Sequence, residues 1–232
     1  IYDIVDEKLE FRSHYKMPAP QLETENCVAH NGSIVPVPGR DIFVQAWYQG
    51  GISVIDFTDS ANPIEIAYFD RGPILEDELI TGGYWSVYYY EGAIYGTEIT
   101  RGLDVLKMIP SEYLSENEIA SAAMAYPVIG PRRIFNPQQQ VPMTWPAVPE
   151  VARAYIDQLL RNKAISEDAA KRIDDMLDQV KQAMDNGGDN RLARQINNYR
   201  LSAKGANVDA LTQHRLEKLH TTLKGIAASL RD

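Results

Sequence analysis

The feature that most constrains the fold of this chain is a group of short strands that recurs after 51 residues. Gly51 and Val54 are matched by Gly102 and Val105, and the segments GGISVI and RGLDVL align around them. Aromatic and β-branched residues fill most of 42–57, and the Gly pair that interrupts them is a hairpin signal. A four-stranded unit that repeats at about 40–50 residues is typical of a β-propeller.

Strand patterns occur in three places within residues 1–110. Between residues 28 and 70 the sequence predicts four short strands joined by tight turns, which form one antiparallel unit. A second unit begins near residue 83 and stops after Met108, where its fourth strand is due. The opening residues 2–15 resemble the last two strands of an earlier unit. We therefore predict one complete propeller blade and two partial ones in residues 1–110.

These predicted blades are too few for a closed ring, since propellers typically have about 4–8 blades. An open ring would expose strand edges and the apolar sides of its blades. The chain also starts inside a strand pattern. We therefore expect it to be the C-terminal part of a longer protein, whose remaining blades come from the same precursor or from another chain.

The sequence changes character after residue 110. Six prolines between 127 and 149 predict an extended linker, which together with a short helix capped at Ser115 makes up residues 111–149. Apolar residues at helical spacing then predict a bundle of about four helices in residues 150–232. The predicted fold class is thus all-β, with four-stranded antiparallel propeller blades in a partial ring, followed by an α-helical C-terminal bundle.

The last predicted helix carries a regular apolar seam from Leu216 to Leu230, in which apolar residues are alternately three and four positions apart. Such a seam either packs inside the bundle or joins two copies of the chain as a coiled coil. It spans only about two heptads, which favours packing inside the bundle. An oligomer formed through the helical tail is the alternative.

Charge is divided in the same way as the predicted elements. Residues 1–110 hold 17 acidic and 7 basic side chains, a net of −10, whereas residues 111–232 hold 15 and 16, a net of +1. The acidic balance argues against nucleic acid as a partner, because such a surface needs a basic patch. No apolar run approaches the roughly 18–20 residues of a membrane span. The single Cys27 excludes an internal disulfide.

Motifs for catalysis are absent from the sequence. It contains no phosphate-binding loop, no nucleophile elbow and no HExxH zinc motif. Cys27 and His30 could suggest a thiol–histidine pair, but residues three apart on a strand point to opposite faces. We therefore predict no catalytic residue.

Polar and aromatic residues gather where the first strands of the two copies begin, and around the second hairpin. The first strands of a propeller line its channel, and the loops that enter them form a face where ligands usually bind. Nine residues are expected at the channel mouth: Glu25, Asn26, His30, Trp47, Trp85, Tyr88, Glu98, Arg101 and Asp104. The alternative is that these side chains only form salt bridges and hydrogen bonds between blades.

Three segments carry a resemblance to a known family: TENCVAHN at 24–31, QAWYQGGISVIDF at 45–57 and RGLDVL at 101–106. They resemble bacterial LVIVD-repeat proteins, and the similarity covers roughly residues 1–108. The resemblance implies a secreted or cell-surface β-propeller, and hence an extracytoplasmic location in a bacterium: periplasmic, cell-surface or secreted. It supplies no established active site.

Two functions of different classes follow. The leading hypothesis is an extracytoplasmic binding or scaffold module, which presents a propeller face to a protein, glycan or small ligand and docks through its helical tail. The rival is a metal-assisted hydrolase or lyase at the channel mouth, with a divalent metal ion held by His30, Glu25 and Glu98. Propellers host both roles, so the predicted fold does not choose between them.

Overall fold

A computed structural model describes residues 1–129, 136, 141–204 and 208–231. The chain divides into two compact units. The strand unit comprises Ile1–Leu114 and Ala125–Thr144, and the helical unit comprises Ser115–Met124 and Trp145–Asp232.

The strand unit is built from short antiparallel strands in four separate sheets. Strands β1 and β2 form a hairpin, β3 to β6 form a four-stranded sheet in chain order, β7 to β9 form a three-stranded sheet, and β10 pairs with β11. We call the four-stranded sheet the first sheet and the three-stranded sheet the second sheet. The bounds are β1 Tyr2–Val5, β2 Lys8–Phe11, β3 Gly32–Val35, β4 Ile42–Ala46, β5 Ile52–Asp56, β6 Ile64–Phe69, β7 Tyr84–Tyr90, β8 Ala93–Glu98, β9 Gly102–Leu106, β10 Tyr126–Pro127 and β11 Met143–Thr144.

The 51-residue repeat is present as two hairpins with the same register. In the first sheet Val44 lies opposite Val54, and in the second sheet Tyr95 lies opposite Val105. Each hairpin turn places a glycine at the same position, and both glycines have a positive φ, +81° and +95°. Because the turn fixes the register of a hairpin, equal turns at equal spacing give equal pairing.

The two sheets pack face to face and form the core of the strand unit. The side chains of Val35, Ile42 and Val44 are fully buried on the first sheet, and Val87 is fully buried on the second. The Tyr89 amide donates to the Ser33 hydroxyl at 2.8 Å, so the contact between the sheets also includes a buried hydrogen bond.

One backbone bridge joins the ends of the two sheets. Tyr48 and Tyr84 exchange hydrogen bonds, with the Tyr84 amide donating to the Tyr48 carbonyl at 2.8 Å and the Tyr48 amide donating back at 3.2 Å. Gly83 permits this approach, because a Cβ there would lie 2.0 Å from the carbonyl carbon of Tyr48. Its φ of +91° is also one that glycine adopts at little cost.

The predicted fold class, all-β propeller blades followed by a helical bundle, is wrong. Among the described residues 31% are helical and 23% lie in strands, which makes the fold mixed α/β, and none of the sheets closes or curls. The physical reason is that the repeat specifies pairing within a sheet and does not specify what covers each of its faces. In the described part of the chain the second sheet covers the first, and no further sheet continues the series.

The helical unit is built around one apolar core. Its helices are α1 Glu116–Ala123, α2 Pro149–Arg161, α3 Glu167–Leu177, α4 Val180–Asp185, α5 Asn190–Asn198 and α6 Ala210–Ser229. The α6 seam lies in that core, with Leu219, Leu223 and Ile226 at most 1% exposed. These side chains are therefore unavailable for a coiled coil with a second copy in this arrangement.

Helix ends follow the capping residues of the sequence. The predicted capping box at Ser115 is confirmed, since Ser115 and Glu118 each accept the other's backbone amide. Ser166 caps α3 through the amide of Ala169. The Pro-rich linker was predicted over residues that include 130–135 and 137–140, which lie outside the described residues.

No helix in the described part of the chain combines the length and the apolar character needed to cross a bilayer.

Candidate functional site

A cavity of about 580 Å³ opens in the strand unit beside the bridge between the two sheets. Two loop segments form its walls, one before β3 and one before β7, and Tyr48 also lines it. Its lining residues are Gln21, Glu25, Asn26, Cys27, Val28, Tyr48, Leu79, Ile80, Thr81 and Gly82. Of the nine predicted site residues, Glu25 and Asn26 line this cavity.

Gln49 holds both walls of the cavity in place. Its backbone amide donates to the Asn26 carbonyl at 2.9 Å, and its side-chain oxygen accepts the Asn26 amide at 2.7 Å. Its side-chain nitrogen donates to the Ile80 carbonyl at 3.3 Å on the opposite wall. Gln49 is only 2% exposed, so one buried side chain connects the two loops. No local sequence pattern indicates this role of Gln49, because its partners are 23 and 31 residues away along the chain.

Tyr48 is placed in the cavity by an unusual backbone conformation. Its φ of 52° lies in the left-handed region, which is uncommon for a residue with a side chain. The bridge to Tyr84 and the turn hydrogen bond from Gly51 to the Tyr48 carbonyl, 3.2 Å, hold this conformation. Tyr48 was also missed as a site residue, since no sequence pattern signals a positive φ at a tyrosine.

His30 and Trp85 form an aromatic cluster with Tyr48. The His30 ring centroid is 4.3 Å from that of Trp85 and 5.1 Å from that of Tyr48. Trp85 is half exposed. The His30 Nδ1 atom is buried and has no hydrogen-bond partner among the described residues. The structure thus brings together two more of the predicted site residues.

The Glu98 carboxylate is hydrogen-bonded to backbone amides of the strand unit. Its carboxylate accepts the amides of Gly83 at 2.5 Å and Thr100 at 2.9 Å, and also that of Arg101. Burial opposes ionisation of this carboxyl, but these donors outweigh it, and the pKa of Glu98 lies below its usual range. Glu98 therefore fixes the glycine that permits the bridge between the sheets.

Asp104 lies on β9, and Arg101 directly precedes that strand. Asp104 accepts from the Arg71 guanidinium at 2.6 Å and from the Tyr84 hydroxyl. Burial acts to raise the pKa of Asp104, but the hydrogen bonds from Tyr84 and Arg71 lower it below its usual range. The Arg101 guanidinium donates to the Pro73 carbonyl at 3.3 Å. These contacts fit the structural alternative, in which the residues tie strands and loops together.

Trp47 and Tyr88 have other neighbours. The Trp47 ring lies 6.0 Å from the Tyr15 ring, and its indole Nε1 is buried without a hydrogen-bond partner among the described residues. The Tyr88 hydroxyl accepts a hydrogen bond from the side-chain Nδ2 of Asn31 at 3.5 Å. Glu25 and Asn26 thus line the cavity and His30 and Trp85 pack against Tyr48, whereas the other five predicted residues make the contacts described above.

The proposed metal ligands are not assembled. In the part of the chain that the structure describes, no three His, Cys, Asp or Glu side chains form a group that could hold a metal ion. His30, Glu25 and Glu98 therefore do not form the expected ligand set.

Two acidic side chains act on the Cys27 thiol at the cavity wall. Burial, together with the charges of Glu25 and Asp70, raises the pKa of the Cys27 thiol to about 11. The thiol is therefore protonated at neutral pH and is a poor nucleophile. Glu25 is the one charged residue among the described residues that line the cavity.

Comparisons with known proteins give no match for this chain, whether to a protein-family model, to a curated protein or to a solved structure.

Proposed function

We propose that the strand unit is a binding module whose cavity beside Tyr48 takes a cationic group, an amine or a guanidinium, on a small molecule or a peptide side chain. The observation that carries this proposal is the composition of the lining. It combines the Glu25 carboxylate, polar groups of Asn26 and Thr81 and the ring of Tyr48, with no basic side chain among the described lining residues.

The size and the construction of the cavity support a binding role. A volume of about 580 Å³ lies within the range of small-molecule sites, roughly 300–1,000 Å³. The Gln49 hydrogen bonds hold both walls before a ligand arrives, which reduces the ordering cost of binding.

The charge of the surroundings favours a cation over an anion. Glu25 lines the cavity, Asp70 is close enough to act on Cys27, and the exposed residues Glu76, Asp77 and Glu78 directly precede the Leu79–Ile80 wall. An aromatic ring adds a face with negative electrostatic potential, which attracts ammonium and guanidinium groups. A phosphate or carboxylate ligand would meet no basic side chain in the lining.

The hydrolase or lyase alternative has no observation in its favour within the described residues. Glu98 is occupied by backbone amides, and His30, Glu25 and Glu98 form no joint ligand group. The extracytoplasmic location and the LVIVD-repeat resemblance stay predictions from the sequence. Fractionation of the native host cells, with detection of the protein in each compartment, tests the location.

Calorimetric titration of the full chain tests the proposed binding. The probes are a short lysine peptide as the cation, a chitin oligosaccharide as a neutral ligand and inorganic phosphate as an anion. We expect saturable binding of the lysine peptide alone, weakened about tenfold or more by Glu25→Gln, since charge-assisted contacts are worth about 1.5–3 kcal/mol.

Glu23→Gln is the matched control, because Glu23 is exposed, lies two residues away and is absent from the lining. It removes the same charge from the same segment, so we expect a much smaller effect. Binding of the neutral or anionic probe in preference to the lysine peptide would refute the cation assignment. Equal weakening in both variants would refute the placement of the site in this cavity.

A further inference from the structure

The second sheet exposes a face whose counterpart in the first sheet is fully buried. Four positions that are 51 residues apart in the two copies define this outer face: Tyr95, Thr97, Leu103 and Val105 correspond to Val44, Ala46, Ile52 and Val54. In the first sheet all four are at most 3% exposed, whereas Leu103 is 62% and Val105 is 56% exposed.

The first sheet shows what covers a face of this kind. Ile52 contacts the second sheet closely, since a Cβ on Gly96 would lie 3.1 Å from the Ile52 Cδ1 atom. The cover is therefore another β-sheet that packs face to face. No element in the described part of the chain takes that place over Leu103 and Val105.

The β1–β2 hairpin offers an apolar sheet face of its own. Tyr2 pairs with Phe11 and Ile4 pairs with Leu9, so these four side chains share one face, which we call the hairpin face. The Tyr2 and Phe11 rings pack edge to face with centroids 5.6 Å apart. All four side chains are between 54% and 79% exposed.

Charges at the rims of the two faces are complementary. The exposed turn of the hairpin carries Asp6 and Glu7, whereas Asp3 and Glu10 pair on the opposite side of the hairpin. Strand β9, which carries Leu103 and Val105, is flanked by two exposed basic residues, Arg101 and Lys107. Opposite charges at the rim of an apolar contact select the partner and its orientation.

We propose that the hairpin face of one copy of this chain packs on the outer face of the second sheet of another copy. The two faces differ, so the contact is heterologous and links copies head to tail. A contact built on about eight side chains is small, so the association is weak and depends on concentration.

Sedimentation velocity of the full chain over a wide concentration range tests this interface. We expect larger species at high concentration, and monomers under the same conditions for Leu103→Ser and for Ile4→Ser. Tyr68→Ser is the matched control, because Tyr68 is 76% exposed on β6 and belongs to neither face. It should associate like the unchanged chain.

Mixing the two monomeric variants tests the head-to-tail arrangement. Leu103→Ser keeps an intact hairpin face and Ile4→Ser keeps an intact outer face, so the mixture should form a dimer that neither variant forms alone. Since all three substitutions are at exposed positions, circular dichroism should show unchanged folding. A monomer at every concentration, association that survives both variants, or a mixture that stays monomeric would each overturn the proposal.

Discussion

At the scale of single residues, a comparison of Gly83 with Gly102 distinguishes two costs of placing a side chain at a glycine. One is the strain of a positive φ, and the other is a steric clash of the new Cβ with a neighbouring atom. Gly83 and Gly102 have nearly equal φ values, +91° and +95°. A Cβ on Gly83 would lie 2.0 Å from the Tyr48 carbonyl carbon, whereas a Cβ on Gly102 would have nothing within 4 Å. The same substitution at the two positions therefore differs in one physical respect.

We predict that Gly102→Ala lowers the free energy of unfolding by about 1 kcal/mol, the cost of the backbone conformation. Gly83→Ala should lower it by about 3 kcal/mol or more, because the Tyr48–Tyr84 bridge must also open. Urea denaturation followed by tyrosine and tryptophan fluorescence measures both values. An equal loss for the two variants would contradict the role assigned to the bridge.

Glu98 predicts a dependence of stability on pH. Its pKa in the folded chain lies below the unfolded value of about 4.3, so the native state binds fewer protons in acid than the unfolded state does. Its contribution is therefore complete above that unfolded value and is lost as the pH falls through the lower, folded value.

We expect Glu98→Gln to lower stability at neutral pH and to flatten the loss of stability in acid. Thr100→Val removes a single hydroxyl donor to the carboxylate and should have a smaller effect of the same sign. Denaturation curves recorded between neutral pH and strong acid measure both. A steeper acid limb in Glu98→Gln would show that other carboxyls control this transition.

At the scale of elements, α1 is held by a capping box that also forms a salt bridge. Glu118 accepts the Ser115 amide at 2.8 Å and the Arg161 guanidinium of α2 at 2.5 Å, and its side chain is fully buried. Removal of Glu118 thus affects the start of α1 and leaves the Arg161 charge without this acceptor.

We predict that Ser115→Ala costs about 1 kcal/mol of stability, as does Ser166→Ala at the ordinary cap of α3. Glu118→Ala should cost clearly more, about 3 kcal/mol, since it removes a buried carboxylate that serves both the ion pair with Arg161 and the cap. Hydrogen exchange at the amides of α1 and α2 locates the loss. Equal exchange in Glu118→Ala and Ser115→Ala would argue against a contribution from the ion pair.

Hairpins and helix caps could be predicted from the sequence where the residues that determine them are close together along the chain. The β4–β5 hairpin has alternating apolar residues and a glycine pair at its turn, and the caps of α1 and α3 use side chains three residues from the amides they accept. The break between α3 and α4 near Asp178 has no such local signal, since no glycine or proline lies there.

The candidate site could be predicted only in part, because its contacts are not local. Glu25, Asn26, His30 and Trp85 were identified by their types and by their position near the start of predicted strands. Gln49 joins residues 23 and 31 positions away from it, and Tyr48 depends on a backbone conformation stabilised by Tyr84. Neither role leaves a pattern in the adjacent sequence.

At the scale of the whole molecule, the net charge of −9 is unevenly distributed. Residues 1–110 have a net charge of −10, and residues 111–232 have a net charge of +1. The propeller prediction was wrong at this scale. The repeat correctly indicated two hairpins with the same register, but it does not specify what packs on the faces of their sheets. The charge division, by contrast, depends on the sequence alone. It bears directly on the proposed cation site in the strand unit.

We predict that binding of the lysine peptide weakens about three- to tenfold as the salt concentration rises from about 0.05 to 0.5 M, because salt screens the acidic field. Calorimetric titration at several salt concentrations measures this effect. The affinities measured in potassium chloride and in sodium chloride should be equal at the same salt concentration, because screening depends on ionic strength. Affinity that stays constant with salt would contradict a contribution from the net charge.

The equal register of the two hairpins has a consequence for how such a chain evolves. Duplication or loss of one whole 51-residue unit keeps every inward side chain inward, because the turn glycine moves with its strands. Insertion of a single residue into β5 or β9 instead turns the rest of that strand over and places its apolar side chains on the opposite face. Natural variants should therefore differ by complete units far more often than by single residues within these strands.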